Sequence, residues 1–383
     1  MSQVVEDGKV RSVEIRVTTT GGAGVSTGNA TSPQIVGQVL DVAVTWHNSA
    51  PGATSDVVVE GSLSGIDLYQ KTDAATSVKK APGVFPTDPA SATGAALTGA
   101  LIDFPVCIAE PIKVTVTGCN DLTDAVIVRV TYREVFCEKI FVTTTGTAGS
   151  ATGAASSKAI TGELLGFALD FHASAPGTTD ITITGATTAR QLYAKTNSVA
   201  DVFIAPAVLS VDNAGSALAS DITPRKLCVG EAITVTLAQA DALTNCVQVY
   251  AFWEPVAAET VYVTTTGTAG SATGNAATLA SQGEILGIYL DFHASAPGTT
   301  DITIAEVPED ANHTPANIYA KANSVTDTYI VPARFAVTNA DAALTSDVTP
   351  RNMLFGKPVR VALAQCDALA NAVKATIFTR FGS

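Results

Sequence analysis

The hydrophobic residues of this chain lie in short runs, some alternating with polar residues and some apolar throughout. Between residues 137 and 256 these runs are KIFVTTT, ELLGFALDF, DITITG, VFIAPAVLSV, AITVTLAQA and CVQVYAFW, separated by clusters of Gly, Pro, Asn and Asp. Both patterns are typical of β-strands, and no segment keeps the i, i+3, i+4 spacing of an amphipathic helix. The pattern predicts an all-β chain built from sandwich or jelly-roll-like domains.

The strand pattern is itself repeated along the chain. The string TTTGTAGSATG occurs at Thr143–Gly153 and again at Thr264–Gly274, and a more divergent copy, TTTGGAGVSTG, begins at Thr18. Repetition on this scale indicates three copies of one unit of about 120 residues, a common domain size. We therefore predict three tandem homologous β-sandwich domains, the first of them divergent, at residues 1–136, 137–256 and 257–383.

The connections between the predicted domains are short. TYREVFCEKIFVTTT and AFWEPVAAETVYVTTT run almost directly from the last strand of one domain into the first strand of the next. Because neither contains a flexible Gly/Ser linker, the domains are expected to hold a fixed arrangement. A pseudo-threefold ring that imitates a trimer and a linear row of domains both fit such connections.

Charge and composition narrow the possible functions. The chain has 22 Lys and Arg residues against 35 Asp and Glu residues, a net charge of −13. An acidic surface repels phosphate groups, so we expect no nucleic-acid partner. The N-terminal MSQVVEDGKV lacks the apolar segment of a secretion signal, and no apolar run is long enough to cross a bilayer. We expect a soluble protein, made in a cytoplasm, with no membrane partner.

The peptide DFHASAPGTTDITI occurs twice, at Asp170–Ile183 and at Asp291–Ile304, with a related copy from Trp46. We interpret it as a hairpin in which Pro-Gly occupies the two central positions of a type II turn. One His and one Asp per copy are too few ligands for a zinc site and supply no nucleophile. The alternative is an ion shared on a threefold axis by His47, His172 and His293.

Three further motifs have structural interpretations. The string GTAGSATG lacks the Lys-Ser/Thr ending of a phosphate-binding loop, so we predict a plain loop between strands. The arginines of DITPR and DVTPR either bind carboxylates of a partner or follow a proline bend. The six cysteines form no CxxC motif and are expected to be reduced and mostly buried. The candidate interface residues are Pro51, Gly52, Pro176, Gly177, Pro297, Gly298, Arg225 and Arg351.

A set of motifs recurs through most of each unit: VTTTGTAGSATG, ITGELLGF followed by TDITITG, RQLYAKTNSVADVFIAPA, and a late AITVTLAQAD. In these motifs the units resemble small virion proteins of tailed bacteriophages. The resemblance implies a β-rich decoration or cement protein on the capsid surface, with the major capsid protein lattice and other virion proteins as partners. Such proteins usually have one unit per chain, and three fused units would fill a local threefold position as a pseudo-trimer.

The predicted function is therefore that of a structural virion protein which binds the outer surface of the head and stabilises it. The alternatives are a carbohydrate-binding, adhesin-like module of a head or tail fibre and a tail-tube or baseplate component. The repeated aromatic residues Trp46, Phe171 and Phe292 lie inside predicted strands, which favours the structural role. No Ser/His/Asp order and no carboxylate pair recurs in all three units, so we predict no enzymatic activity, catalytic residue, metal or cofactor.

Overall fold

The computed structural model describes residues 9–49, 54–73, 76–98, 100, 102–212, 214, 216, 218, 223–279, 282–309, 315, 317–334 and 350–380. These residues form strands, turns and loops, and no helix occurs among them. Accordingly, the described part of the chain has no helix long and apolar enough to cross a membrane. The predicted all-β class is confirmed.

The first set of strands, called unit 1, forms a front sheet and a back sheet. Its strands are β1 Val10–Thr19, β2 Ser26–Gln34, β3 Gly37–Trp46, β4 Asp56–Gly61, β5 Asp67–Lys71, β6 Val78–Lys80, β7 Gly83–Val84, β8 Phe104–Pro105, β9 Cys107–Ile108, β10 Pro111–Cys119 and β11 Leu122–Glu134. The front sheet has the order β1-β11-β3-β6, with β9 also beside β3, and the back sheet has the order β2-β10-β4-β5. All of these pairings are antiparallel.

Unit 2 has the same two layers, joined by one long strand. Its strands are β12 Phe136–Val142, β13 Ala151–Phe171, β14 Asp180–Gly185, β15 Gln191–Lys195, β16 Val202–Ile204, β17 Ala207–Val208, β18 Arg225–Lys226, β19 Cys228–Ala240 and β20 Val247–Pro255. The order is β12-β20-β13-β19-β14-β15, with β16 also beside β13. The 21-residue strand β13 pairs with β20 in the front layer and with β19 in the back layer.

Unit 3 again has two separate sheets. Its strands are β21 Ala257–Val263, β22 Ala272–Ala277, β23 Gly283–Phe292, β24 Asp301–Glu306, β25 Asn317–Lys321, β26 Thr328–Ile330, β27 Ala333–Arg334, β28 Arg351–Asn352, β29 Leu354–Phe355, β30 Val359–Cys366 and β31 Val373–Arg380. The front order is β21-β31-β23-β26, with β29 beside β23, and the back order is β22-β30-β24-β25.

The alternation of apolar and polar residues positions the core between the two layers. In β10, Ile112, Val114 and Val116 are fully buried, while the intervening residues are partly exposed. Because successive side chains of a strand point to opposite faces, each strand contributes one apolar face. The inward residues of the two layers form one hydrophobic cluster per unit, which is the packing of a β-sandwich.

The three units are linked with almost no intervening chain. A single residue, Val135, separates β11 from β12, and a single residue, Val256, separates β20 from β21. The strand order is the same in all three units. The domain boundaries given above stay predictions.

Candidate functional site

The three candidate histidines, His47, His172 and His293, each follow a front-layer strand and support the turn after it. The ring nitrogen Nδ1 accepts a hydrogen bond from the backbone N–H two residues later, at 3.0 Å for His47 and at 3.1 Å for both His172 and His293. Among the described residues, no group of three or more His, Cys, Asp or Glu is placed to hold a metal ion. The structure therefore does not bring the three histidines together, and their common role is to support a turn.

The Pro-Gly turn of unit 2 differs from the prediction. The carbonyl of Pro176 accepts hydrogen bonds from the backbone N–H of Thr179 at 2.9 Å and from its hydroxyl at 2.8 Å. Pro176 is therefore the first residue of the turn, and Gly177 and Thr178 are its central residues. The prediction that Pro-Gly occupies the central positions is wrong, because the threonine backbone and hydroxyl anchor the turn one residue later.

Unit 3 has the same turn. The carbonyl of Pro297 accepts from the backbone N–H and the hydroxyl of Thr300, at 2.9 and 2.7 Å. Gly177 and Gly298 are exposed at the two turns, where they stay predicted interface residues. The corresponding candidates of unit 1 lie outside the described residues; these are Pro51 and Gly52.

The glycine loop Gly146–Gly153 binds a carboxylate of its own unit. The N–H of Gly149 donates to Oδ1 of Asp241 at 2.7 Å. Asn120 and Asp367 accept the equivalent hydrogen bond in units 1 and 3, at 3.0 and 2.8 Å. A side-chain oxygen already takes the N–H group that a phosphate would need, so the loop serves the fold.

The cysteines behave as buried apolar residues. All six are free, and five of them are buried. Burial raises the pKa of the Cys137 and Cys228 thiols to about 12, and it also raises the pKa of Cys107 and Cys246. The mostly buried positions expected from the sequence are confirmed, and the reduced state stays a prediction.

The first junction joins unit 1 to unit 2. The N–H of Thr87 donates to the carbonyl of Ala205 at 2.9 Å, and the N–H of Ala207 donates to the carbonyl of Thr87 at 3.0 Å. Beside this backbone ladder, Cys107 is fully buried in one hydrophobic cluster with residues on the outer side of the front layer of unit 2. Those residues are Leu165, Ala168, Phe203, Tyr250 and Phe252.

The second junction repeats this arrangement between units 2 and 3. The N–H of Val211 donates to the carbonyl of Val331 at 3.0 Å, and the N–H of Ala333 donates to the carbonyl of Val211 at 2.9 Å. Cys228 is the unit 2 equivalent of Cys107. Cys107 pairs with Gln38 of β3, and Cys228 pairs with Glu163 at the same position of β13. Cys228 contacts the outer side of unit 3 at Leu286, Tyr289, Tyr329 and Phe378.

An ion pair flanks each junction. Arg133 of unit 1 pairs with Glu254 of unit 2 at 2.7 Å, and Arg380 of unit 3 pairs with Glu163 of unit 2 at 2.8 Å. Partly exposed pairs of this kind contribute roughly 0–1 kcal/mol each. The hydrophobic centre and the backbone ladder therefore determine most of the strength of the junctions.

Two arginines belong to the second junction. The guanidinium of Arg190 stacks over the rings of Tyr289 and Tyr329, at 5.2 and 4.7 Å from their centres. Its Nη2 donates to the carbonyl of Cys228 at 2.7 Å, and burial lowers its pKa. Arg225 donates across the junction to the carbonyl of Pro350. The sequence predicted that Arg225 either binds a partner or follows a proline bend. In the structure its guanidinium binds a carbonyl of the same chain.

Tyr329→Phe is expected to weaken the second junction. The Tyr329 hydroxyl accepts a hydrogen bond from the buried N–H of Cys228 at 3.0 Å. Phenylalanine leaves that donor without a partner, at a cost of about 1–3 kcal/mol. Thermal unfolding and hydrogen exchange of the Cys228 amide measure the loss. Tyr262→Phe, whose ring is 54% exposed, is the matched control and should change neither.

Two carboxylates, those of Asp170 and Asp201, lie on the outer side of unit 2, next to the first junction. Burial, followed by the negative charges of Asp201 and Glu110, raises the pKa of Asp170 to about 6. Unit 3 has Asp291 and Asp327 at the same positions, and burial raises the pKa of Asp291 as well. Ionisation of Asp170 therefore opposes folding.

Asp170→Asn is expected to stabilise the protein at about pH 7.5 and to leave its stability unchanged at about pH 3, below both pKa values. The pKa of about 6 in the folded state exceeds the ordinary value of 3.8, so the folded chain holds this proton more tightly than the unfolded chain. Stability then falls as the pH rises between these two values, and asparagine removes that fall. Thermal unfolding across this range measures it. An equal shift at every pH would mean that the effect is steric.

The sequence contains a signal for the junctions that its interpretation missed. ELLGFALDF and EILGIYLDF are apolar at successive positions, whereas GQVLDVAVTW of unit 1 alternates. A strand that is apolar on both faces is covered on both sides. The continuous runs therefore mark the outer faces of units 2 and 3 as covered, and the alternating run marks the outer face of unit 1 as open to solvent.

A cleft of about 1010 Å³ lies between units 1 and 2. Its aromatic lining consists of Tyr132, Phe136 and Trp253, and the rings of the last two stack with centres 4.7 Å apart. Arg11 and Lys158 are among its charged lining residues. An aromatic surface beside polar groups can hold a sugar ring.

No protein-family model and no curated protein matches this chain. Among solved structures, the chain aligns over 100% of its length with the VP2 subviral particle of infectious bursal disease virus, covering 74% of that chain at 12% identity and a TM-score of 0.16. It aligns over 99% of its length with the Faustovirus major capsid protein, covering 90% of that chain at 10% identity and a TM-score of 0.12. Scores this low do not establish a shared fold.

Proposed function

We propose that this chain is a structural protein of a virus particle, which binds the outer surface of a tailed-phage head as a decoration or cement protein. The supporting observation is the pair of equivalent junctions, which join three β-units through backbone hydrogen bonds and a buried hydrophobic centre. A rigid row of this kind holds its units at fixed spacing, so it can bridge neighbouring subunits of a shell. The sequence resemblance of each unit to phage virion proteins supports the same class.

The proposed partners are the major capsid protein lattice and other virion proteins, with the chain located on the capsid surface and acting without catalysis. The contacts described above connect unit 1 to unit 2 and unit 2 to unit 3, so we propose a row of units in place of the closed pseudo-trimer considered from the sequence. The net charge of −13 favours a protein surface over a nucleic acid as the partner.

The test uses heads from a phage whose gene for this chain has been deleted. Purified chain is added to these heads, and bound copies per major capsid protein are counted together with the temperature at which the heads disrupt. We expect saturable binding at a fixed ratio and a higher disruption temperature. Binding to tails alone, or no binding to any part of the particle, would refute the proposal.

A carbohydrate-binding module is the second candidate, favoured by the aromatic cleft between units 1 and 2. A screen of the full chain against bacterial surface polysaccharides tests it. Binding that is lost in Trp253→Ala but kept in Phe141→Ala, an exposed aromatic outside the cleft, would support this candidate. Binding that survives both substitutions would exclude the cleft.

A further inference from the structure

Each junction consists of two complementary surfaces. A docking end, centred on Cys107 in unit 1 and on Cys228 in unit 2, lies on a receiving face, the outer side of the front layer of the next unit. Two junctions use two docking ends and two receiving faces. The docking end of unit 3 and the receiving face of unit 1 are therefore left over, and each can be compared with its occupied counterparts.

The docking end of unit 3 is open to solvent. Leu354 pairs with Glu284 at the register where Cys107 and Cys228 pair with their own strands, but it is 72% exposed, whereas both cysteines are fully buried. A Cβ on Gly230 would contact the ring of Phe378 across the second junction, whereas a Cβ on the equivalent Gly356 would meet no atom within 4 Å. A large exposed leucine at this place marks an unused copy of the docking end.

The receiving face of unit 1 is polar where those of units 2 and 3 are aromatic. The register places Lys79 at the position of Phe203 and Tyr329, and Arg129 at the position of Tyr250. The side chains of Lys79 and Arg129 are 69% and 61% exposed, and they pair with Asp41 and Glu14 of unit 1 at 3.3 and 3.1 Å. This face therefore differs in charge from the two occupied faces.

The docking end of unit 3 carries a carboxylate, opposite in sign to Lys79 and Arg129 of unit 1. Glu306 accepts a hydrogen bond from the N–H of Gly356, which places its carboxylate beside the position that faces the partner strand in the second junction. In the second junction Gly230 lies against Thr376, and the register places Arg129 of unit 1 at the position of Thr376. The same contact between unit 3 and unit 1 of another copy would therefore place the Glu306 carboxylate near Arg129. The acidic group on one surface and the basic group on the other are the complementarity that selects a partner.

A second charge pair follows from the same comparison of strand registers. In the second junction Arg225 donates to the carbonyl of Pro350. The unit 3 equivalent of Arg225 is the exposed Arg351, and the unit 1 equivalent of Pro350 is Asp103, as the pairings of β8, β18 and β28 show. A guanidinium and a carboxylate would thus meet where an occupied junction has a guanidinium and a carbonyl.

We propose that the docking end of unit 3 binds the receiving face of unit 1 in a second copy of this chain. Both surfaces are exposed within a single copy, so the contact is made between copies. Such a head-to-tail contact uses two different surfaces, and it extends into a filament or closes into a ring of several copies. The proposal is independent of the virion role proposed above.

Sedimentation of the full chain over a range of concentrations tests the contact. Wild type is expected to form species heavier than the 39.0 kDa single copy as concentration rises. Leu354→Asp blocks every docking end and Arg129→Glu blocks every receiving face, so each variant alone should remain a single copy. An equal mixture of the two has one usable pair of surfaces per pair of molecules and should form dimers and nothing larger.

Leu279→Asp is the control, because Leu279 is 91% exposed on unit 3 but lies outside the docking end; it should associate like wild type. The thermal unfolding of all variants shows that they remain folded. Wild type that stays a single copy at every concentration would overturn the proposal. So would a mixture of the two blocked variants that forms no dimers, or blocked variants that associate as wild type does.

Discussion

Gly153→Ala is expected to lower the free energy of unfolding by about 3 kcal/mol. A Cβ at Gly153 would overlap the backbone carbonyl of Thr143, which directly follows β12. Backbone atoms cannot move aside as the end of a flexible side chain can, and adding a methyl group to such a contact costs about 1–3 kcal/mol or more. Thermal and denaturant unfolding of the full chain measure the loss.

All three units have the same close approach of a glycine to a threonine carbonyl, so the prediction can be repeated in units 1 and 3. A Cβ on Gly28 or Gly274 would overlap the carbonyl of Thr18 or Thr264 in the same way, so these substitutions should be comparably harmful. Gly177 has no atom within 4 Å of such a Cβ. Gly177→Ala should therefore stay within about 0.5 kcal/mol of wild type. If Gly153→Ala is as stable as Gly177→Ala, the backbone of Thr143 does not lie as close to Gly153 as described.

Glu110→Ala is expected to cost about 3 kcal/mol or more. The Glu110 side chain is 5% exposed, and its carboxylate accepts hydrogen bonds from the N–H of Leu63 and from both the N–H and the hydroxyl of Ser64. Alanine leaves these donors unpaired in the interior of the unit. Each buried donor left without its acceptor costs about 1–3 kcal/mol, and this substitution leaves three of them.

Unit 2 supplies a matched substitution, because Glu231 makes the same three contacts with Thr187 and Thr188. Glu231→Ala should therefore be similarly destabilising. Glu60 is the control, since it pairs with Lys113 at a partly exposed position and its loss should cost about 0–1 kcal/mol. A loss for Glu110→Ala no larger than that for Glu60→Ala would show that the buried network contributes little to stability.

The fold class was predictable from local pattern, because burial follows the alternation of side chains along a strand. In β10 the apolar residues Ile112, Val114 and Val116 point inward and the residues between them point outward, as the sequence pattern alone requires. A two-residue period of this kind leaves only the partner strand undetermined. Strand order depends on contacts between distant segments, so the sequence does not specify it locally.

The junctions were not identified because their partners lie about one unit away along the chain. The contact of Thr87 with Ala205 and Ala207 depends on how whole units are placed. Strand propensity and the spacing of apolar residues do not contain that information. The Pro-Gly turn was misassigned for a different reason. Turn preferences favour Pro-Gly at the centre, but the Thr179 hydroxyl adds a hydrogen bond that moves the turn by one residue.

The long strand β13 changes how unit 2 responds to load. In units 1 and 3 the front and back sheets contain separate strands, so one sheet can begin to open before the other. In unit 2 a single strand pairs with β20 in one layer and with β19 in the other. Pulling on this strand loads the hydrogen bonds of both layers at once, in shear along their length. Unit 2 should therefore open as one cooperative block, and under tension it is the segment that transmits force between its two neighbours.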